Sequence, residues 1–228
     1  MNVKILGISA TPVENGNCDK LVQEALRAAE EIGGIETEFI PLSDKSIAMC
    51  KHCQYCIENK TECKIKDDAQ MIFQKMKEAD GIIIGAPTWL RTVAPLILVL
   101  LSRARNIMFI THEFRNKVAG AITLSWFGRG MDLAAQQILL VESRFMMIPV
   151  AQGMATASTV ALGKRAAYME HGALDDPVGI VSVRNVGYRV AEVAKMIKFA
   201  IDSGVGVSPE YQVTTSGTMV KPKAKGGK

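Results

Sequence analysis

Val3-Lys4-Ile5-Leu6-Gly7-Ile8-Ser9, running on into Ala10-Thr11-Pro12-Val13-Glu14-Asn15-Gly16-Asn17-Cys18, is the stretch whose reading decides the fold. Its first seven residues are almost continuously apolar, as in a central parallel strand covered on both faces. Leu21, Val22, Ala25, Leu26, Ala29 and Ile32 then recur at helical spacing until Gly33-Gly34 ends the run, and Ile35–Pro41 supplies a second strand. Strand, small-residue turn, helix and strand make one βαβ unit.

The same alternation continues outward. Asp67-Asp68-Ala69-Gln70 reads as a capping box opening a helix through Met71, Ile72, Met76 and Ala79, and the Ile-rich Gly81–Gly85 is a third strand whose loop opens at Pro87. Val118–Leu124 and Met146–Val150 are two more strands, separated by a helix from about Met131 to Arg144 in which Leu133, Gln137 and Leu140 share a face. A last helix, Ser182–Ser203, carries Val183, Val186, Val190, Val193, Ile197 and Ala200 along one stripe. Right-handed crossovers force helices onto both faces of such a sheet, so the pattern predicts an α/β, doubly wound, five-stranded parallel sheet, for which we take the order 2-1-3-4-5. Residues 1–205 read as one domain and 206–228 as an extension; the Ala- and Gly-rich stretch 151–180 carries no assignment.

At 228 residues and 48% hydrophobic composition, the chain buries a full core as one domain. Its net charge of +4 comes from the tail Lys221-Pro222-Lys223-Ala224-Lys225-Gly226-Gly227-Lys228, without which the charges balance, so nothing calls for nucleic acid. The tail reads as a solvated end or a basic docking arm. The longest apolar run, Val93 to Leu101, is too short to span a bilayer, and the opening Met1-Asn2-Val3-Lys4 enters a strand without a signal-like segment. A cytoplasmic setting is expected.

The chemistry concentrates after the second strand, where four cysteines stand as Cys50-x2-Cys53-x2-Cys56-x6-Cys63 within a loop spanning 48–66. Three thiols at successive x2 intervals wrap one face of a cubane cluster and a fourth closes it, which points to a [4Fe–4S] cluster. A structural zinc is the rival reading, although four-cysteine zinc sites usually set two C-x2-C knuckles apart. Disulfides would need an oxidising compartment. Lys64 follows the last cysteine where two-cluster ferredoxins have proline.

Ligands of a doubly wound fold bind outside the carboxyl ends of the strands, so the loops after strands one, three and four should converge. The first offers Ser9, Thr11, Asn15, Gly16, Asn17 and Cys18 before a helix N-terminus, a phosphate cradle or, equally, a turn with an N-cap. The third offers Gly85-Ala86-Pro87-Thr88-Trp89-Leu90-Arg91-Thr92 and the fourth Ser125-Trp126-Phe127-Gly128-Arg129-Gly130, each with an indole that lies against a flat ring or simply packs. The nucleoside-triphosphate and dinucleotide glycine fingerprints are absent after the first strand.

The first loop, the cysteine motif and Pro87-Thr88-Trp89-Leu90 together resemble the iron–sulfur flavoproteins of methanogens and other anaerobes, a branch of the flavodoxin-like, NADPH-dependent FMN reductase superfamily. The resemblance covers most of residues 1–205 and implies a flavodoxin-like fold with an inserted cluster loop, binding FMN and a [4Fe–4S] cluster. It implies Ser9, Thr11, Asn15, Gly16, Asn17 and Cys18 at the FMN phosphate, and Pro87, Thr88, Trp89, Leu90 and Arg91 beside the isoalloxazine. Ser125, Trp126, Gly128 and Gly130 are expected to face the same ring, and Cys50, Cys53, Cys56 and Cys63 to hold the cluster. Cys18 stands where such loops have threonine, Arg91 where glycine is common, and Leu98 and Ser102 where lysine and aspartate are found, whereas Arg103 is kept.

Such a protein joins a one-electron carrier to a one- or two-electron flavin. The resemblance implies ferredoxin as donor, oxygen or peroxide among acceptors, and a homodimer or homotetramer; Lys51, His52, Lys60, Lys64 and Lys66 around the cysteines suit an acidic partner or form a solvated basic loop. No proton-transfer residue is demanded, and His52, His112 and His171 read as surface groups. An NAD(P)H-dependent flavin reductase with a structural cysteine loop and a zinc-stabilised binding module are the alternatives.

Overall fold

The computed structural model describes residues 2–126, 128–157 and 172–205. The extension 206–228 with its basic tail, His171, Phe127 and the middle of the unassigned stretch 151–180 lie outside the described residues.

The strands are β1 (Val3–Ser9), β2 (Ile35–Pro41), β3 (Gly81–Trp89), β4 (Thr92–Val93), β5 (Val118–Ser125) and β6 (Ile148–Thr156). The helices are α1 (Asn17–Glu31), the single turn α2 (Tyr55–Glu58), α3 (Ala69–Glu78), α4 (Pro95–Ser102), α5 (Met131–Arg144) and α6 (Pro177–Asp202), with a π-helical turn at Ile107–Thr111. Parallel pairing gives the order β2-β1-β3-β5-β6, and β4 folds back antiparallel on β3. The expected five-strand order holds once that short hairpin strand is set aside.

Side-chain alternation divides the core between the two faces. Ile5, Ile83, Val118 and Ile122 pack under α1 and α6, whereas Leu6, Ile8, Ile82, Ile84 and Ala121 pack with α3, α4 and α5. All eight residues of β5 are buried, while edge strand β2 places Glu36 and Glu38 outward, which discourages further strand pairing. Among the described residues, no helix is long and apolar enough to cross a membrane.

Four local expectations need correction. β3 continues beyond Gly85 to Trp89, and β6 spans Ile148–Thr156 rather than stopping at Val150. α6 starts five residues before Ser182, because Asp176 accepts from Gly179 N–H at 2.9 Å and Pro177 suits the first helical position. In α5 the buried face is Ala134, Ala135, Ile138 and Glu142, so the face shared by Leu133 and Leu140 points outward. The capping box at the start of α3 forms in part: Gln70 Oε1 accepts from Asp67 N–H, but Asp67 Oδ1 accepts from Ala69 N–H rather than Gln70 N–H, and Asp68 makes no side-chain cap.

α6 crosses α1 at backbone contact. A Cβ on Gly187 would stand 2.0 Å from the Ala25 carbonyl oxygen and 3.1 Å from Ala28 Cβ, so only glycine fits. Gly187→Ala is expected to lower stability by ~1–3 kcal/mol despite alanine's better helix propensity, measured by urea unfolding. The crossing is tied by Arg184, which donates to Glu24 and Glu31, with Tyr188 donating to Glu31 as well. Burial pushes the Glu24 carboxyl up, but Arg27 and Arg184 outweigh it and hold it below its ordinary 4.5. A carboxyl held down in the fold stabilises above its unfolded value and ceases to do so as pH falls through the folded one. The urea midpoint should therefore drop on acidification below about pH 4.5, and Arg184→Ala should flatten that drop.

Candidate functional site at the carboxyl edge of the sheet

Because β1, β2, β3 and β5 run parallel, their following loops all emerge at one edge. At that edge the Thr88 and Ser125 hydroxyls, from neighbouring β3 and β5, are buried without a hydrogen-bond partner, and the Ser9 hydroxyl on β1 is buried with only the Cys18 thiol beside it. The β3–β5 register sets Pro87 beside Leu124, which brings Thr88 level with Ser125, and β1 places Ser9 beside Gly85. A buried polar group left unsatisfied costs about 1–3 kcal/mol, so these hydroxyls gathered at one edge fit a polar ligand that would satisfy them.

The first loop leaves β1 with Ala10 N–H donating to the Gly85 carbonyl at 2.7 Å. Thr11 Oγ1 accepts from Val13 N–H at 3.2 Å, Asn15 takes the left-handed conformation at φ +52°, and Gly16 leads into α1 extended. No side chain caps α1, which leaves first-turn N–H groups and the positive dipole end for an anion such as a phosphate. Two of the expected side chains are engaged elsewhere. Asn17 Oδ1 accepts from Ala173 N–H at 2.7 Å, tying the segment before α6 to this turn. Cys18 is buried between α1 and β3, where burial pushes its thiol up to about 12, so it stays neutral and brings only its backbone N–H to the loop. Asp19, overlooked in the sequence, is buried in the same turn with Oδ1 unpartnered.

The second loop is a tight hairpin. Thr88 pairs with Val93 and Trp89 with Thr92, so Leu90 and Arg91 form a two-residue turn with φ of +50° and +64°. Turns with positive φ at both positions favour Asn and Gly, and holding other residues there costs of order 1–3 kcal/mol each. Leu90 at the tip is 98% exposed, and Trp89 and Trp126 are each 46% exposed, outside the core. The hairpin is braced by Gln137 Oε1, which accepts from Val93 N–H at 2.8 Å. Gly130, at φ +76°, lies against it so closely that a Cβ would meet Arg91 Cα at 2.7 Å. The loops after β3 and β5 therefore touch, as their adjacency in the sheet requires.

The cysteine loop occupies the same edge, after β2. Two of its spacer residues, His52 and Gln54, are left-handed at φ +52° and +61°, which curls the backbone between the first three cysteines. Cys56 is buried, Cys50 and Cys63 are half-buried and Cys53 is exposed. Burial pushes the Cys56 thiol up and the nearby Cys63 reinforces it, while the Arg105 guanidinium opposes them. Backbone N–H of His52 donates to Cys50 Sγ at 3.4 Å and Arg103 Nε to Cys63 Sγ at 3.2 Å. Among the described residues no three Cys, His, Asp or Glu side chains converge as a group that could hold a metal ion. What the loop does offer is the chemistry an iron–sulfur cluster would use: four thiols, N–H groups directed at two of the sulfurs, and two guanidinium groups beside them.

Arg103 was visible in the sequence only as a matching residue; its partners were not. Its side chain is fully buried against Asp67, with Nη1 donating to Asp67 Oδ2 at 2.6 Å and to the Ala48 carbonyl at 2.9 Å, and Nη2 to the Ile65 carbonyl at 2.9 Å. Burial pushes the Asp67 carboxyl up, but Arg103 and two backbone N–H groups outweigh it and hold it below 3.8. Just before Arg103, Ser102 Oγ accepts from Cys50 N–H at 3.3 Å. Thus α4 begins beside the indole hairpin and ends beneath the cysteine loop, eight residues or about 12 Å away.

Known proteins match this arrangement. A family profile described as NADPH-dependent FMN reductase matches residues 3–161. An iron-sulfur flavoprotein of Methanocaldococcus jannaschii is 41% identical over 201 residues, covering 86% of this chain and all of its own length. An iron-sulfur flavoprotein of Archaeoglobus fulgidus is 34% identical over 197 residues, 85% of this chain and 98% of its own. Among solved structures, RosB aligns with a TM-score of 0.63 at 18% identity over 99% of this chain and 98% of its own. An NAD(P)H:quinone oxidoreductase from Methanothermobacter marburgensis aligns at 0.60 and 12% identity over 83% of this chain and 100% of its own; at such identities these two show the fold alone. With its flavodoxin-like sheet and its full-length likeness to these relatives, the chain belongs to the iron–sulfur flavoprotein branch of the NADPH-dependent FMN reductase family.

Proposed function

We propose that this chain is a redox protein that binds FMN across the carboxyl ends of β1, β3 and β5 and a [4Fe–4S] cluster on Cys50, Cys53, Cys56 and Cys63, passing electrons between them. The observation that carries the flavin half is the pair of unpartnered hydroxyls on Thr88 and Ser125, each next in sequence to a half-exposed indole, with the buried Ser9 hydroxyl on the adjacent strand. The uncapped start of α1 receives the phosphate, and the Leu90–Arg91 hairpin with Gly128 and Gly130 bounds the ring. FMN supplies one- and two-electron chemistry when bound; the chain orients it and limits its contact with water.

The cluster half rests on the cysteine spacing, on the N–H groups directed at sulfur and on the printed names of the relatives. The donor is a one-electron carrier such as ferredoxin, attracted by Lys51, Lys60, Lys64 and Lys66, and the acceptor is a small molecule such as oxygen or peroxide. The protein works in the cytoplasm as a homodimer or homotetramer, which would cover Leu90, Leu133 and Leu140. The family's own description favours a second reading, in which NADPH reduces the flavin directly.

Anaerobic purification should yield a brown protein with one FMN and about four irons per chain; a colourless protein carrying zinc would contradict the proposal. Cys56→Ala should lose the iron and keep the FMN, and joint loss would show that the sites are not independent. Gly130→Ala, which drives a Cβ into Arg91, should weaken FMN binding about tenfold or more in a fluorescence titration. In stopped-flow mixing, reduced ferredoxin should bleach the flavin quickly and NADPH slowly; the reverse order would favour the second reading.

A further inference from the structure

We propose that Arg103 is the positioning residue of the cysteine loop and raises the reduction potential of the cluster through Cys63, an inference that rests on the cluster reading above. One buried guanidinium joins both ends of the loop and Cys63. It holds the loop's entry at the Ala48 carbonyl and its exit at the Ile65 carbonyl and Asp67, and it donates Nε–H to Cys63 Sγ at 3.2 Å. Asp67 closes the same clamp by accepting from Ala48 N–H at 2.9 Å. The two ends of the loop are thereby fixed by side chains without any metal ligand, and Cys63 is the one cysteine whose sulfur receives a charged side-chain donor among the described contacts.

A hydrogen bond to a ligand sulfur and a buried positive charge both favour the more negative, reduced cluster. Asp67 acts in the opposite sense, since its carboxylate offsets that charge. Removing Arg103 should therefore lower the potential, whereas neutralising Asp67 should raise it, because Asp67→Asn leaves the Nε–Sγ contact in place. A merely structural clamp would instead loosen in both variants alike.

The test compares wild type, Arg103→Gln, Arg103→Lys and Asp67→Asn, all purified anaerobically, with FMN and iron counted per chain and the cluster potential read by EPR during reductive titration. The expected result is FMN retained throughout and a tenfold less favourable reduction in Arg103→Gln, about 59 mV for one electron. Arg103→Lys should shift less in the same direction, and Asp67→Asn in the opposite one. Should Arg103→Gln lose its FMN through misfolding, Arg103→Lys and Asp67→Asn decide by the same signs. Equal potentials, or shifts of one sign, in iron-loaded variants would overturn the proposal and leave the cluster reading standing; a wild type without iron would overturn both.

Discussion

Parallel hydrogen bonding among β1, β3 and β5 is the constraint on which everything else depends. Parallel neighbours cannot be joined by a tight turn, so each strand is followed by a helix that crosses back, and every strand-to-helix loop lands at the same edge. The apolar strands Val3–Ser9 and Val118–Ser125 stay buried only because α1 and α6 cover one face and α3, α4 and α5 the other. The core is thereby committed to carrying a row of loops at one rim. That rim carries the buried hydroxyls at the strand ends, the strained hairpin and the cysteines.

Within that rim, rigidity and strain are distributed unevenly. The hairpin holds Leu90 and Arg91 at positive φ and is braced by Gln137 and Gly130, so its unfavourable turn is maintained by the surrounding packing. The cysteine loop carries its own left-handed residues but is anchored beneath by a buried ion pair, of which removing either partner costs about 3–5 kcal/mol. α4 joins the two. A disturbance at Trp89–Val93 and one at Cys50 meet along eight residues of one helix, a direct mechanical link between the two proposed cofactor sites.

Much of this was legible in the sequence because local periodicity reports burial. The α1 stripe from Leu21 to Ala29 and the helix start near Asp67 follow from spacing, whereas the strand order came from the doubly wound pattern as a whole. The hairpin was not legible, because Leu90 and Arg91 carry none of the Asn or Gly signals of such turns. Leu133 and Leu140 misled because two leucines a heptad apart look like a core stripe, yet small Ala134 and Ala135 fill the buried side. Asp176-Pro177 was a readable helix start that the sequence reading passed over. Arg103 lay beyond any local signal: its partners are 36 to 55 residues away, and only the folded chain brings them together.

The most direct measurement is a crystal structure of the anaerobically purified holoprotein with anomalous data collected at the iron edge. The account predicts an iron peak enclosed by the sulfurs of Cys50, Cys53, Cys56 and Cys63, and FMN density with its phosphate at the start of α1 and its ring beside Trp89 and Trp126. A single zinc among those cysteines, or flavin bound away from the carboxyl edge of the sheet, would contradict it.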